Sequence, residues 1–218
     1  MIQAVLWDMD GLMIDSEPLW TIAETELATS LGGTWTHGIK ALVVGHRLDV
    51  AVPAILGFYD IEPTPARVAE ASTWMLARMV ELFTTQKLPL LPGVAELLKA
   101  VDAAGVPMAL VSSSSRLLVD AVLGQGIGPF AVTVAGDEVV DAKPAPEPYL
   151  TAAAHLGVDP ARCVVLEDSP AGIASGEAAG CAVVAVPSVL GVNVDSQPRR
   201  LVRTTLTGLD VDTLHSLV

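Results

Sequence analysis

The chain has 218 residues, 51% of them hydrophobic and 17% charged, which fits a folded protein and excludes a disordered tract. Its formal net charge of -13 excludes the basic footprint that a nucleic-acid backbone demands. Any site for a phosphate group must therefore supply its own positive charge, from a metal or from a few placed Lys or Arg.

The opening residues 2–7 are short and apolar and stop at Asp8, which predicts a buried strand and is no signal peptide. From residue 16 to 88 the texture is helical. Residues 17–31 carry Leu19, Ile22, Ala23, Leu27 and Leu31 at helical spacing and stop at Gly32-Gly33, and two further helices are predicted over 47–58 and 65–86. After Pro89-Leu90-Leu91-Pro92-Gly93, helix and strand alternate. The predicted helices are 93–104, 115–124, 146–156 and 169–179, and the predicted strands 107–111, 131–134, 162–166 and 182–186. A short strand at 201–204 and a helix at 210–217 complete the reading. Apolar strands alternating with helices predict a parallel sheet covered on both faces. The expected architecture is one α/β core, residues 1–15 and 89–218, with an all-helical cap inserted at 16–88.

Cys163 and Cys181 each sit beside an apolar run and read as buried free thiols. The longest uncharged apolar stretch, 180–194, is broken by Pro187 and Gly191 and is too short to span a bilayer. A cytoplasmic protein without membrane or nucleic-acid partners, a monomer or weak homo-oligomer, is expected.

The chemistry gathers at predicted strand ends, where open α/β sheets bind ligands. Val5-Leu6-Trp7 delivers Asp8 and Asp10 two residues apart, then Gly11 to turn the chain. One such carboxylate can attack phosphorus while its neighbour moves a proton to the leaving oxygen. Taken alone, Asp-x-Asp reads as an acidic turn. Three further strand ends change that reading. Ala109-Leu110-Val111 runs into Ser112-Ser113-Ser114-Ser115, a hydroxyl and free N–H groups for a phosphate oxygen, although Ser113 to Ser115 also suit plain helix capping. Lys143, one of four lysines, precedes Pro144-Ala145-Pro146-Glu147-Pro148. Val164-Val165-Leu166 delivers Glu167-Asp168-Ser169, a second acidic pair of the kind Mg²⁺ requires.

Asp8 through Glu17, then Ser112, then Lys143 with its proline-rich follower, then Glu167-Asp168-Ser169, resemble the four ordered motifs of the haloacid dehalogenase superfamily. Residues 171–180 match the helix after the fourth motif, and the resemblance runs over residues 1–187. It implies a doubly wound, Rossmann-like core with a helical cap, and Mg²⁺-dependent phosphate ester hydrolysis through an aspartyl phosphate. Carried over by position, Asp8 is the nucleophile and a metal ligand, and Asp10 is general acid then base with its carbonyl on the metal. Ser112 holds the phosphoryl group, Lys143 neutralises charge, Asp168 ligates Mg²⁺, and Glu167 is a direct or water-mediated partner. The name-giving dehalogenases lack an acid at the position of Asp10; its presence here implies phosphate ester chemistry.

Asp15-Ser16-Glu17-Pro18, Leu19-Trp20 and Gly45-His46-Arg47-Leu48-Asp49 resemble the branch of β-phosphoglucomutase and sugar-phosphate phosphatases. Trp20 falls about where the mutases carry a cap histidine, which implies a phosphatase whose Asp10 lacks the mutase coupling to the cap; Trp20 itself reads equally as a cleft or a core residue. Arg47, His46 and Ser113 are the expected substrate contacts, with solvated polar residues as the plain alternative for the first two. A mutase, a phosphoglycolate or nucleotide phosphatase, and a non-catalytic binding protein are the competing readings, the last disfavoured because Asp8, Asp10 and Lys143 are all present.

Overall fold

The computed structural model describes residues 1–43, 46–188 and 194–218; Gly45 and Gly191, both cited from the sequence, lie outside them. Among the described residues, six parallel strands form one sheet: β1 (Ala4–Trp7), β2 (Met108–Val111), β3 (Val132–Val134), β4 (Cys163–Glu167), β5 (Ala182–Ala185) and β6 (Arg200–Val202), in the order β3-β2-β1-β4-β5-β6. Alternation sends Val5, Trp7, Leu110, Val164 and Leu166 to one face and Ala4, Leu6, Ala109, Val111 and Val165 to the other. Both faces must be covered, because β1, β2, β4 and β5 are buried along their whole length. On the first face lie Leu97, Leu98 and Val101 of α5 (Val94–Ala103) and Leu118, Val119 and Val122 of α6 (Arg116–Leu123). On the second lie Tyr149, Ala152 and Ala153 of α7 (Glu147–Leu156) and Ile173 of α8 (Pro170–Ala178). This is the doubly wound arrangement read from the sequence, closed by the short helix α9 (Val211–His215).

Between β1 and α5 the chain inserts α1 (Glu17–Ser30), α2 (His37–Val43), α3 (Leu48–Phe58) and α4 (Pro65–Thr85). The 7-residue α2 was not anticipated: Gly38 within it and the Gly32-Gly33-Thr34 approach carry no helix signal, and burial of Ile39 and Val43 holds it in place. Ile14 and Leu90, on either side of these four helices, bridge antiparallel; Asp15 N–H donates to Pro89 O at 3.1 Å and Leu91 N–H to Met13 O at 3.0 Å. Met75, Met79, Leu82 and Phe83 of α4 join the apolar cluster that contains Leu118, Val119 and Val122 of α6, so the two helices share one packed face. Gln125 locks the contact, its Nε2 donating to Phe83 O at 2.6 Å. Phe83→Ala is expected to lower unfolding free energy by about 3–5 kcal/mol, measured in urea. A loss below about 1 kcal/mol would mean that this face collapses to fill the space.

Candidate active site

Strand register assembles the site. Trp7 pairs with Leu110 on one side and Leu166 on the other, so Asp8 falls level with Val111 and Glu167, and Ser112 and Asp168 lie one residue beyond. The sheet order reverses here: β2 and β3 lie on one side of β1, β4 to β6 on the other. Such a switch point opens a crevice at the carboxyl ends of the strands. Asp8 N–H donates to Leu166 O at 3.0 Å, fixing the nucleophile candidate to its neighbour strand.

Lys143 reaches into this crevice from the loop before α7. Its Nζ donates to Asp8 Oδ1 at 2.6 Å, to Glu167 Oε1 at 2.8 Å and to Val111 O at 2.9 Å, and lies 4.8 Å from the centroid of the Tyr149 ring. Its three protons are thus all placed, on a side chain 4% exposed. Burial alone would lower the Lys143 pKa, but the charges of Asp8 and Glu167 hold the ammonium above its usual range.

Glu167 is wholly buried. Oε1 also accepts from Tyr149 OH at 2.9 Å, while Oε2 accepts from Asp168 N–H at 2.9 Å and from the N–H and Oγ of Ser169, each at 3.1 Å. Burial raises its pKa, yet the Lys143 charge and these donors outweigh that and keep it ionised below the usual carboxylate range. α8 packs Gly172 directly against this carboxylate, and a Cβ there would fall inside it. Burial, then the Glu167 charge, drives the Asp8 carboxyl well above its ordinary value, with Lys143 in partial opposition. Asp168 is pushed to about 7 by burial and the Glu167 charge, and Ser188 Oγ donates to its Oδ2 at 2.5 Å.

Asp10 is held from both sides. From α1's N-cap, Ser16 Oγ donates to Oδ1 at 2.6 Å; from the end of β2, Ser114 Oγ donates to Oδ2 at 2.8 Å, with Ser112 Oγ farther off at 3.4 Å. Burial raises the Asp10 pKa, against the lowering influence of Ser16, Ser114, the nearby Trp20 and Ser112. One expectation changes here: the segment before α1 is joined to Asp10 through the Ser16 hydroxyl, where an uncoupled acid was expected. The capping reading of the serine run also fails in part: Ser115 occupies the N-cap of α6 without a side-chain cap bond, and Arg116 N–H is met by Asp137 Oδ1 at 2.8 Å.

Ser114, read in the sequence as a helix cap, and Tyr149, not singled out there, both belong to the cluster. A hydroxyl within a run of four serines, or an aromatic at helical spacing with Ala152 and Ala153, carries no signal of its own. Ser113 stands beside the cluster, its carbonyl packed on Gly136. Arg47, at the N-cap of α3, pairs with Asp49 at 3.4 Å, and exposed His46 donates its backbone N–H to Val43 O at 3.1 Å. Among the described residues, no hydrogen bond or ion pair joins Arg47 to the Asp8 cluster.

Carboxylate oxygens of Asp8, Glu167 and Asp168 lie within 4.8 Å of one another around one ammonium. Three buried carboxylates face one cation, the raised Asp8 and Asp168 pKa values express that excess of acidic groups, and a hard dication would balance it, all-oxygen donors suiting one. With every lone pair of Glu167 already engaged by donors, Asp8 and Asp168 are the side chains open to such an ion.

The model of the haloacid dehalogenase-like hydrolase family matches residues 2–180. The chain belongs to this family, whose members generally use a divalent metal, and is a hydrolase of its phosphatase class. It is 33% identical to protein CbbY of Rhodobacter capsulatus over 204 residues, 86% of each chain. It is 35% identical to hexitol phosphatase B of Escherichia coli K12 over 192 residues, 86% of this chain and 84% of that one. A solved variant of CbbY from Rhodobacter sphaeroides in complex with xylulose-(1,5)bisphosphate superposes with a TM-score of 0.85 at 27% identity, covering 98% of this chain and 99% of that one.

Gly172→Ala tests the seat of Glu167. The added methyl must displace the carboxylate, and Lys143 with it, so kcat is expected to fall about a hundredfold while far-UV circular dichroism is retained. A loss below twofold would show that Lys143 keeps its place without Glu167.

Proposed function

We propose that the protein hydrolyses a small sugar or polyol phosphate, with Mg²⁺ as its metal and Asp8 as nucleophile, residues 16–88 capping a core of 1–15 and 89–218. The observation that carries this reading is Lys143 Nζ, 2.6 Å from Asp8 Oδ1 and 2.8 Å from Glu167 Oε1. A net-acidic protein gains there the fixed positive charge that phosphoryl transfer needs. The 35% identity to a hexitol phosphatase and the sugar bisphosphate held by a structural relative support the substrate class.

An Asp8 oxygen attacks phosphorus in line, and the bond to the leaving oxygen breaks as Asp10 delivers its proton there. The phosphoryl group is now on Asp8. Asp10, ionised, takes a proton from water, whose oxygen attacks phosphorus; the bond to Asp8 breaks, and inorganic phosphate leaves. Lys143 offsets charge on Asp8 and on the phosphoryl oxygens, Ser112 and Ser113 donate to those oxygens, and Glu167 acts from behind Lys143 as its counter-charge. Arg47 and His46 meet the substrate when the cap closes. Mg²⁺, held by Asp8, Asp168 and the Asp10 carbonyl, would neutralise the phosphoryl group during transfer. Hydrolysis outranks isomerisation because Ser16 and Trp20 bring no imidazole to Asp10, leaving it to activate water.

Asp10→Asn is expected to depress hydrolysis of an alkyl phosphate far more than that of p-nitrophenyl phosphate, whose leaving group needs little protonation, and to accumulate phosphoenzyme on Asp8. The raised pKa of Asp10 also has a sign. An acid must hold its proton, so kcat/KM for alkyl phosphates falls only above that raised pKa, and the variant loses this basic limb. Equal losses on both substrates, with no trapped intermediate and an unchanged pH profile, would remove Asp10 from the acid–base role.

A further inference from the structure

The Asp168 carboxylate is held by a residue that the hydrolytic scheme does not use. Glu167 pairs with Ala185 across β4 and β5, and two backbone bonds carry the pairing past the ends of the strands. Val186 N–H donates to Glu167 O at 2.7 Å, and Ser188 N–H makes a longer bond, 3.4 Å, to Asp168 O. The sheet thus brings Ser188 level with Asp168, and its Oγ donates to Asp168 Oδ2 at 2.5 Å. Gly11, at φ +84°, closes on the same oxygen. A Cβ there would fall 2.3 Å from Oδ2 and 3.3 Å from Ser188 Oγ, so only a residue without a side chain lets the turn after β1 come this near.

One oxygen of Asp168 is therefore bonded to Ser188 and wedged against Gly11. The other, Oδ1, accepts no hydrogen bond among the described residues. Asp8 is divided in the same way: Oδ1 takes the Lys143 ammonium at 2.6 Å, and among the described residues Oδ2 accepts nothing. Each carboxylate keeps one oxygen to offer. That arrangement distinguishes hard cations. Mg²⁺ demands a near-ideal octahedron with ligands at about 2.0–2.1 Å, whereas Ca²⁺ takes about six to eight oxygens and readily uses both from one carboxylate. Groups behind the ligands enforce such a choice by fixing how the ligands are turned.

We infer that Ser188 is a positioning residue for the choice of ion: by holding Oδ2 against Gly11 it keeps Asp168 a one-oxygen ligand, which favours Mg²⁺ over Ca²⁺. This rests on the phosphatase reading above, with its metal held at Asp8 and Asp168, and deepens it to a selection between ions. Without the hydroxyl, Oδ2 is released to turn toward the ion, and the two oxygens together suit Ca²⁺. Ser188 is exposed, so truncating it leaves the core untouched.

Isothermal titration calorimetry without substrate, at one pH, gives Kd for Mg²⁺ and for Ca²⁺ in wild type, Ser188→Ala and Ser188→Thr. In Ser188→Ala the Mg²⁺ Kd is expected to rise about tenfold while the Ca²⁺ Kd holds or falls. The ratio of the Ca²⁺ Kd to the Mg²⁺ Kd then drops by about tenfold or more, and Ser188→Thr, which retains the hydroxyl, keeps the wild-type ratio. A merely structural role would move both constants together. A ratio within twofold of wild type in Ser188→Ala overturns the assignment, whether both constants shift or neither does. A ratio in Ser188→Thr as low as in Ser188→Ala overturns it too, because the hydroxyl would not be what selects. Wild type that takes up neither ion overturns the metal site itself, and this inference with it.

Discussion

One ammonium among three buried carboxylates is the constraint on which the site depends. Lys143 Nζ binds Asp8, Glu167 and the Val111 carbonyl together, which ties β1, β2 and β4 to the loop before α7 at a single atom. Removing that charge would leave Glu167 buried and uncompensated, a far larger penalty than the pair's net attraction. The surroundings are arranged to keep the triangle fixed: Tyr149 OH on Oε1, two N–H groups and a hydroxyl on Oε2, and a glycine where any side chain would collide. The arrangement rigidifies the lysine, and it still leaves negative charge unbalanced at Asp8 and Asp168.

Asp10 is the second joint. Its two oxygens divide between Ser16, which opens α1, and Ser114, which follows β2, so both segments fix the carboxyl and bear on its proton state.

Much of this was legible in the sequence because it rests on strand ends. Asp8, Ser112 and Glu167-Asp168 each follow an uninterrupted apolar run, and parallel pairing of those runs leaves little choice but to bring them level. The limits of the reading are equally physical. The α2 helix is short, carries a glycine and is held by burial of Ile39 and Val43. Ser114 was indistinguishable from its neighbours until the turn after β2 aimed it at Asp10. Tyr149 sits at an ordinary helical position, and its meaning lies in a partner 18 residues away.

The central claim, that Asp8 and Asp168 are the carboxylates Lys143 leaves to a dication, is tested most directly by thermal unfolding as a function of Mg²⁺ concentration. A ligand that binds the folded state alone stabilises it by RT ln(1 + [L]/Kd), so Tm climbs with the logarithm of its concentration once that exceeds Kd. The account predicts such a climb in wild type that disappears in Asp168→Asn. No rise in wild type, or an equal rise in the variant, would contradict it.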